Sequence, residues 1–66
     1  MSNIVECEPL SDGKMLVLQK VGRRFTCYIT SPAPGEAPTY LERDKSRRLA
    51  YAAFEQQLKE DTCDTT

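Results

Sequence analysis

Six side chains, Lys20, Arg23, Arg24, Lys45, Arg47 and Arg48, hold the plainest binding chemistry in this 66-residue chain, because each is a cation able to meet a phosphate or a carboxylate. Their place in the charge pattern matters more than their number. Residues 1–12 carry Glu6, Glu8 and Asp12, for −3, and residues 49–66 carry Glu55, Glu60, Asp61 and Asp64 against Lys59, again −3. Residues 13–48 carry eight cations (the six plus Lys14 and Arg43) against Glu36, Glu42 and Asp44, for +5. The overall formal charge of −1 therefore hides a basic centre between two acidic ends. Such a centre is either a patch for an anionic partner or a complement onto which the two ends fold back.

Catalytic chemistry is harder to assemble. The chain has no histidine, which removes the side chain that most often serves as general base near neutral pH. Its three cysteines, Cys7, Cys27 and Cys63, are widely spaced with no CxxC pair, so they have neither zinc-ligand spacing nor the density of a disulfide framework. No P-loop, GxGxxG, GxSxG or EF-hand pattern occurs. The expectation is a non-enzymatic protein with no catalytic or metal-binding residues, no cofactor and no small-molecule substrate.

The segment Ser46-Arg47-Arg48-Leu49-Ala50-Tyr51-Ala52-Ala53 resembles the last helix of double-stranded-RNA-binding domains, which carries Ser-Lys-Lys-x-Ala-Lys-x-x-Ala-Ala after a three-stranded sheet. The match lies at Ser46, Arg47, Arg48 and Ala50, and it implies phosphate contacts for Arg47 and Arg48. Tyr51 replaces the third lysine of that pattern, Phe54 and Glu55 stand where its paired alanines would be, and the chain has no room for the family's first helix. Arginines in a first helical turn sit at the positive end of the helix dipole, where cations are mildly unfavourable. They are either kept there for an anion or paired with a nearby carboxylate such as Asp44.

These candidates depend on the elements that carry them. Asp12-Gly13 suits a two-residue type I′ hairpin loop, and Gly22-Arg23 suits a type II′ loop with glycine first. Three strands follow, over about 4–9, 14–21 and 24–30, in an antiparallel meander. The two loops set a register: Cys7 opposite Leu18, Val5 opposite Lys20, then Lys20 opposite Phe25, Leu18 opposite Cys27 and Leu16 opposite Ile29. Side chains alternate faces along a strand. One face then gathers Val5, Cys7, Leu16, Leu18, Phe25, Cys27 and Ile29 as the core, with both Cys7 and Cys27 reading as small core hydrophobes. The other face keeps Ile4, Glu6, Glu8, Met15, Val17, Val21 and Tyr28. On that face Met15, Val17 and Tyr28 form a candidate protein contact or dimer seam. Tyr28 could also stack a base, but it stands as a single ring beside Glu6 and Glu8, whose charges would repel a phosphate backbone.

Three prolines and a glycine make residues 31–38 a loop. A helix is expected over about 44–60, with Ala50, Ala53, Phe54 and Leu58 on its apolar face, Tyr51 at the edge of that face, and Tyr40 and Leu41 in an extended lead-in. Asp44 is the expected N-cap, with Thr39 as the alternative start. Residues 61–66 read as a flexible acidic and polar tail. The fold class is α+β, βββα: a three-stranded antiparallel meander with one C-terminal helix packed on one face, as a single small domain over 1–60. No signal-like segment opens the chain, and a cytoplasmic protein with reduced thiols is expected. The leading functional expectation is a small regulatory protein that binds a protein partner, or a second copy of itself, through the exposed sheet face. The alternative is a nucleic-acid-binding accessory protein that uses the basic centre. No membrane association is expected.

Overall fold

A computed structural model describes residues 2–62. Its elements in chain order are β1 (Ser2–Pro9), β2 (Met15–Val21), β3 (Arg24–Thr30), β4 (Thr39–Lys45) and α1 (Arg47–Thr62). The four strands form one antiparallel sheet in the order β1-β2-β3-β4, and α1 lies against β2, β3 and β4. The fold is small α+β as expected, with a fourth strand that the sequence reading placed in the lead-in to the helix. No described helix is long and apolar enough to cross a membrane.

The hairpin from β2 to β3 forms as its residues dictate. Val21 pairs with Arg24 across the two-residue loop, and Gly22 takes the first central position at φ 63°. Lys20 opposite Phe25, Leu18 opposite Cys27 and Leu16 opposite Ile29 all hold.

The first hairpin differs by one residue. Gly13 N–H donates to the Leu10 carbonyl at 3.1 Å, and Leu10 N–H donates to the Lys14 carbonyl at 2.8 Å. With Gly13 at φ 89°, this is a three-residue loop, a type I turn closed by a glycine bulge, and not the two-residue type I′ turn. Asp12 favours it by accepting the Lys14 N–H at 3.1 Å. The extra loop residue slides β1, so Cys7 faces Val17, Glu6 faces Leu18 and Glu8 faces Leu16. A one-residue slip exchanges the faces of a strand. Val5 lies where the register shifts between Ile4 and Glu6, and it is exposed rather than in the core.

β4 carries little strand signal, because Thr-Tyr-Leu-Glu-Arg-Asp-Lys is mostly polar and alternates poorly. It is an edge strand, where charge is tolerated and deters pairing with other chains. Its register shifts twice against β3, and Asp44 sits at φ 57° within it. The Asp44 N–H donates to Thr26 Oγ1 at 3.2 Å, which gives a partner to a threonine only 5% exposed. Asp44 is thus part of β4, and neither it nor Thr39 starts the helix. The N-cap is Ser46, whose Oγ accepts the Leu49 N–H at 3.4 Å while its carbonyl accepts the Ala50 N–H at 3.1 Å.

The core joins Leu10, Leu16, Leu18, Phe25 and Cys27 to Ala50 and Phe54 of α1, with Ile29, Leu41, Tyr51, Ala53 and Leu58 packed at its margin. The helix face is the expected one. Phe54 shares this cluster with Phe25, while the ring nearest to Phe25 is Tyr51, at 6.1 Å between centroids. Cys27 is fully buried, and burial, with the Glu42 charge behind it, pushes its thiol up to about 11. Cys7, in contrast, is exposed and free. Cys63 lies outside the described residues, as does the tail beyond Thr62. Asp61 and Thr62, assigned above to that tail, belong to α1.

Candidate functional site

The register brings most of the candidate cations to one end of the sheet. Lys20 and Lys45 flank Phe25 on the two neighbouring strands, so their Cα atoms stand roughly 9–10 Å apart across two strand spacings. Arg23 occupies the loop beside them and Arg24 opens β3. Two residues beyond Lys45, Arg47 and Arg48 begin α1. The Arg47 guanidinium carbon lies 5.2 Å from the centroid of the Tyr51 ring. Arg47, Arg48 and Tyr51 line an open hollow of about 380 Å³. Among the described residues no ion pair holds any of the six cations. The pairing of Arg47 or Arg48 with Asp44, the structural alternative left open above, is not present.

Among the described residues, no carboxylate of the two acidic ends pairs with this centre. α1 runs away from the basic end, and Asp61 reaches the opposite hairpin. There the Ser11 N–H donates to both carboxylate oxygens at 3.1 and 3.3 Å, and Ser11 Oγ donates at 2.8 Å. Asp12 and Glu60 gather at that end, with Glu8 next to it on β1, and they outnumber Lys14 and Lys59 there. Opposite charges thus collect at opposite ends of one slab, whose Cα extents are 38 × 28 × 14 Å. The charge blocks lie apart in the sequence, but only the strand directions show that they become poles.

The second surface is the sheet face that α1 leaves open. Met15, Val17 and Tyr28 lie on it as expected. However, Val17 is only 4% exposed, closed in between Cys7 and Tyr28 on the neighbouring strands. Met15 and Tyr28 are half-buried. Ile4, Val21 and Tyr40 are its large exposed side chains, and of these Tyr40 is the one not expected from the sequence. It pairs with Tyr28 across the strands, its ring centroid 5.6 Å from that of Tyr28. The Arg43 guanidinium lies over the Tyr40 ring at 4.7 Å from its centroid. Burial, followed by the neighbouring Tyr40 and Cys7, raises the Tyr28 hydroxyl above its ordinary value.

The slip of β1 also changes the charge of this face. Glu6 and Glu8 oppose Leu18 and Leu16, so both carboxylates leave the open face, and Cys7 and Pro9 take their places beside Val17 and Met15. Arg24 shares the face through its pairing with Val21. The signal that could have found Tyr40 is its spacing from Leu41 and Arg43 in an extended segment, but that required recognising a fourth strand first.

Among the described residues no group of three or more histidine, cysteine, aspartate or glutamate side chains is arranged to hold a metal ion. No family model, curated protein or solved structure matches this chain. The four strands leading directly into the helix also differ from the three-stranded sheet of the double-stranded-RNA-binding pattern.

Proposed function

We propose that this chain is a small non-enzymatic binding protein whose basic end holds nucleic acid through its phosphates. The carrying observation is the gathering of Lys20, Arg23, Arg24, Lys45, Arg47 and Arg48 at one end of the sheet without ion pairs among the described residues. Unpaired cations at a common site cost folding stability through mutual repulsion, and a polyanion relieves that repulsion. Counterions released from the phosphate backbone then drive association. Planar Arg47 and Arg48 suit phosphate oxygens, and the hollow they share with Tyr51 leaves them open to approach.

The test is a titration of labelled single-stranded and duplex DNA and RNA at low and moderate salt. Binding should weaken steeply with salt. Replacing Arg47 and Arg48 together by Glu should flatten the slope of log K against log salt by roughly 1–2 units while the circular dichroism spectrum stays folded. Absent or salt-insensitive binding overturns the proposal.

The protein contact expected first from sequence stands second, because Val17 is buried. What favours it is the β1 edge, where Ile4 is 61% exposed and Val5 38% exposed. That reading predicts a partner captured, or a doubled solution mass, that is lost on replacing Ile4 and Val5 by charged residues.

A further inference from the structure

Resting on the nucleic-acid reading, we infer that the open sheet face makes this protein a single-strand binder, with Tyr40 and Tyr28 as a stacking platform for bases and Arg43 as its cationic edge. The phosphate end alone does not discriminate, because cations meet the backbone of a duplex as readily as that of a single strand. Discrimination needs rings that accept a base freed from its partner.

The structure supplies them. Tyr40 is 46% exposed on edge strand β4, where nothing described stands outside it. Tyr28 is tilted beside it at 50°, and Arg43 adds a second planar group over the same ring. A guanidinium over a ring both extends the stacking surface and offers a phosphate contact to the nucleotide laid there.

Charge complementarity favours this occupant. The cations at strand positions on this face are Arg24 and Arg43, and the β1 slip has turned Glu6 and Glu8 to the other side. The path is also continuous. Tyr28 and Arg24 lie four residues apart on β3, about 13 Å at the usual rise per residue. A strand with a base on Tyr40 therefore reaches the basic end within a few nucleotides. A duplex keeps its bases stacked inside and gains nothing from the rings.

The experiment compares a labelled single-stranded oligonucleotide with a duplex of equal length, in one buffer, for the native chain and for Tyr40→Ala, Tyr40→Phe and Arg43→Ala. The native chain should prefer the single strand. Tyr40→Ala should weaken single-strand binding by about tenfold, the loss of one stacked base, and leave duplex binding unchanged. Tyr40→Phe, which keeps the ring, should bind as the native chain does, and Arg43→Ala should lose affinity for the single strand more than for the duplex. Thermal melts confirm that each variant is folded. Equal affinity for the two probes, or a Tyr40→Ala loss equal on both, overturns the inference while leaving phosphate binding at the basic end in place. Failure of both probes to bind overturns the two readings together. Binding of a protein at this face, abolished by Tyr40→Ala with no oligonucleotide bound, overturns them in favour of the protein reading.

Discussion

At the Asp12 end of the sheet, Ser11 and Asp61 tie a loop to the last turn of α1 with three hydrogen bonds, whereas at the Gly22 end Arg47 and Arg48 open the same helix and four further cations lie on the loop and strands of that end, without a salt link among the described residues. Both ends set charge against the helix dipole, with arginines at its positive end and Glu60 and Asp61, offset in part by Lys59, at its negative end. The acidic end recovers that cost through the contacts of Asp61. The basic end shows no comparable recovery among the described residues. One end closes the fold, and the other is the end proposed to meet an external anion.

The strongest way to break this comparison is to remove what connects the two ends. Phe54 is 5% exposed in the middle of α1 and packs in the buried core cluster. Phe54→Ala should cost about 3–5 kcal/mol in urea unfolding, enough to leave so small a domain largely unfolded. Both ends should fail together, with loss of the Asp61 contact and of oligonucleotide binding. A loss below about 1 kcal/mol would show that α1 docks by other means and that the ends are independent.

Phe54 was legible before the structure because a helical stripe of Ala50, Ala53, Phe54 and Leu58 has no competing reading. The β2–β3 pairing was legible for a similar reason, since Gly22 admits a tight loop and every later pair follows from it. The first hairpin was not, because Asp12-Gly13 serves two loop lengths equally well. The choice between them rests on the local reach of the Asp12 carboxylate to the Lys14 N–H and on Leu10 entering the core, and the second is a tertiary fact. That single residue exchanged Glu6 with Cys7 and inverted the charge assigned to the open face. β4 was hidden by its edge position, which removes the apolar alternation that marks a covered strand. The six cations were legible as residues, but their common location depends on β4 returning Lys45 to the side of Phe25.

The two cysteines sharpen the same lesson at the level of faces. Cys7 should react with a thiol reagent in the native state, while Cys27 should stay protected until the chain unfolds, measured in a Cys63→Ser background. Because burial raises the folded thiol of Cys27 from the ordinary 9.0 to about 11, its contribution to stability is fully present below pH 9.0 and is lost as pH rises through about 11. Equal reactivity of Cys7 and Cys27 in the native state would contradict the β1 register.

A smaller effect tests the acidic end by itself. Asp61→Ala removes the carboxylate that accepts from Ser11, and it should cost about 1 kcal/mol, since these hydrogen bonds are exposed. Oligonucleotide affinity should not change, because the basic end lies at the other terminus of α1. Weakened binding in a variant that remains folded at the assay temperature would mean that the two ends communicate through the helix.

The smallest effect on stability should have the opposite sign. Arg48 lies in the first turn of α1, exposed, and the ring contact at that end belongs to Arg47. Replacing a cation at a helix N-terminus by an anion removes an unfavourable dipole interaction and adds a favourable one. Arg48→Glu should therefore raise unfolding stability by a few tenths of a kcal/mol, while weakening phosphate binding and reducing its salt dependence by about one unit. A residue that serves the fold would show the reverse, with lost stability and unchanged binding. That outcome would place Arg48 among the structural residues and return the basic end to the status of an ordinary solvated surface. A gain in stability joined to a loss of binding has no structural explanation, because the native arginine would then be retained at the expense of the fold. Measuring both quantities on one variant thus separates the two ends of the molecule by sign as well as by magnitude.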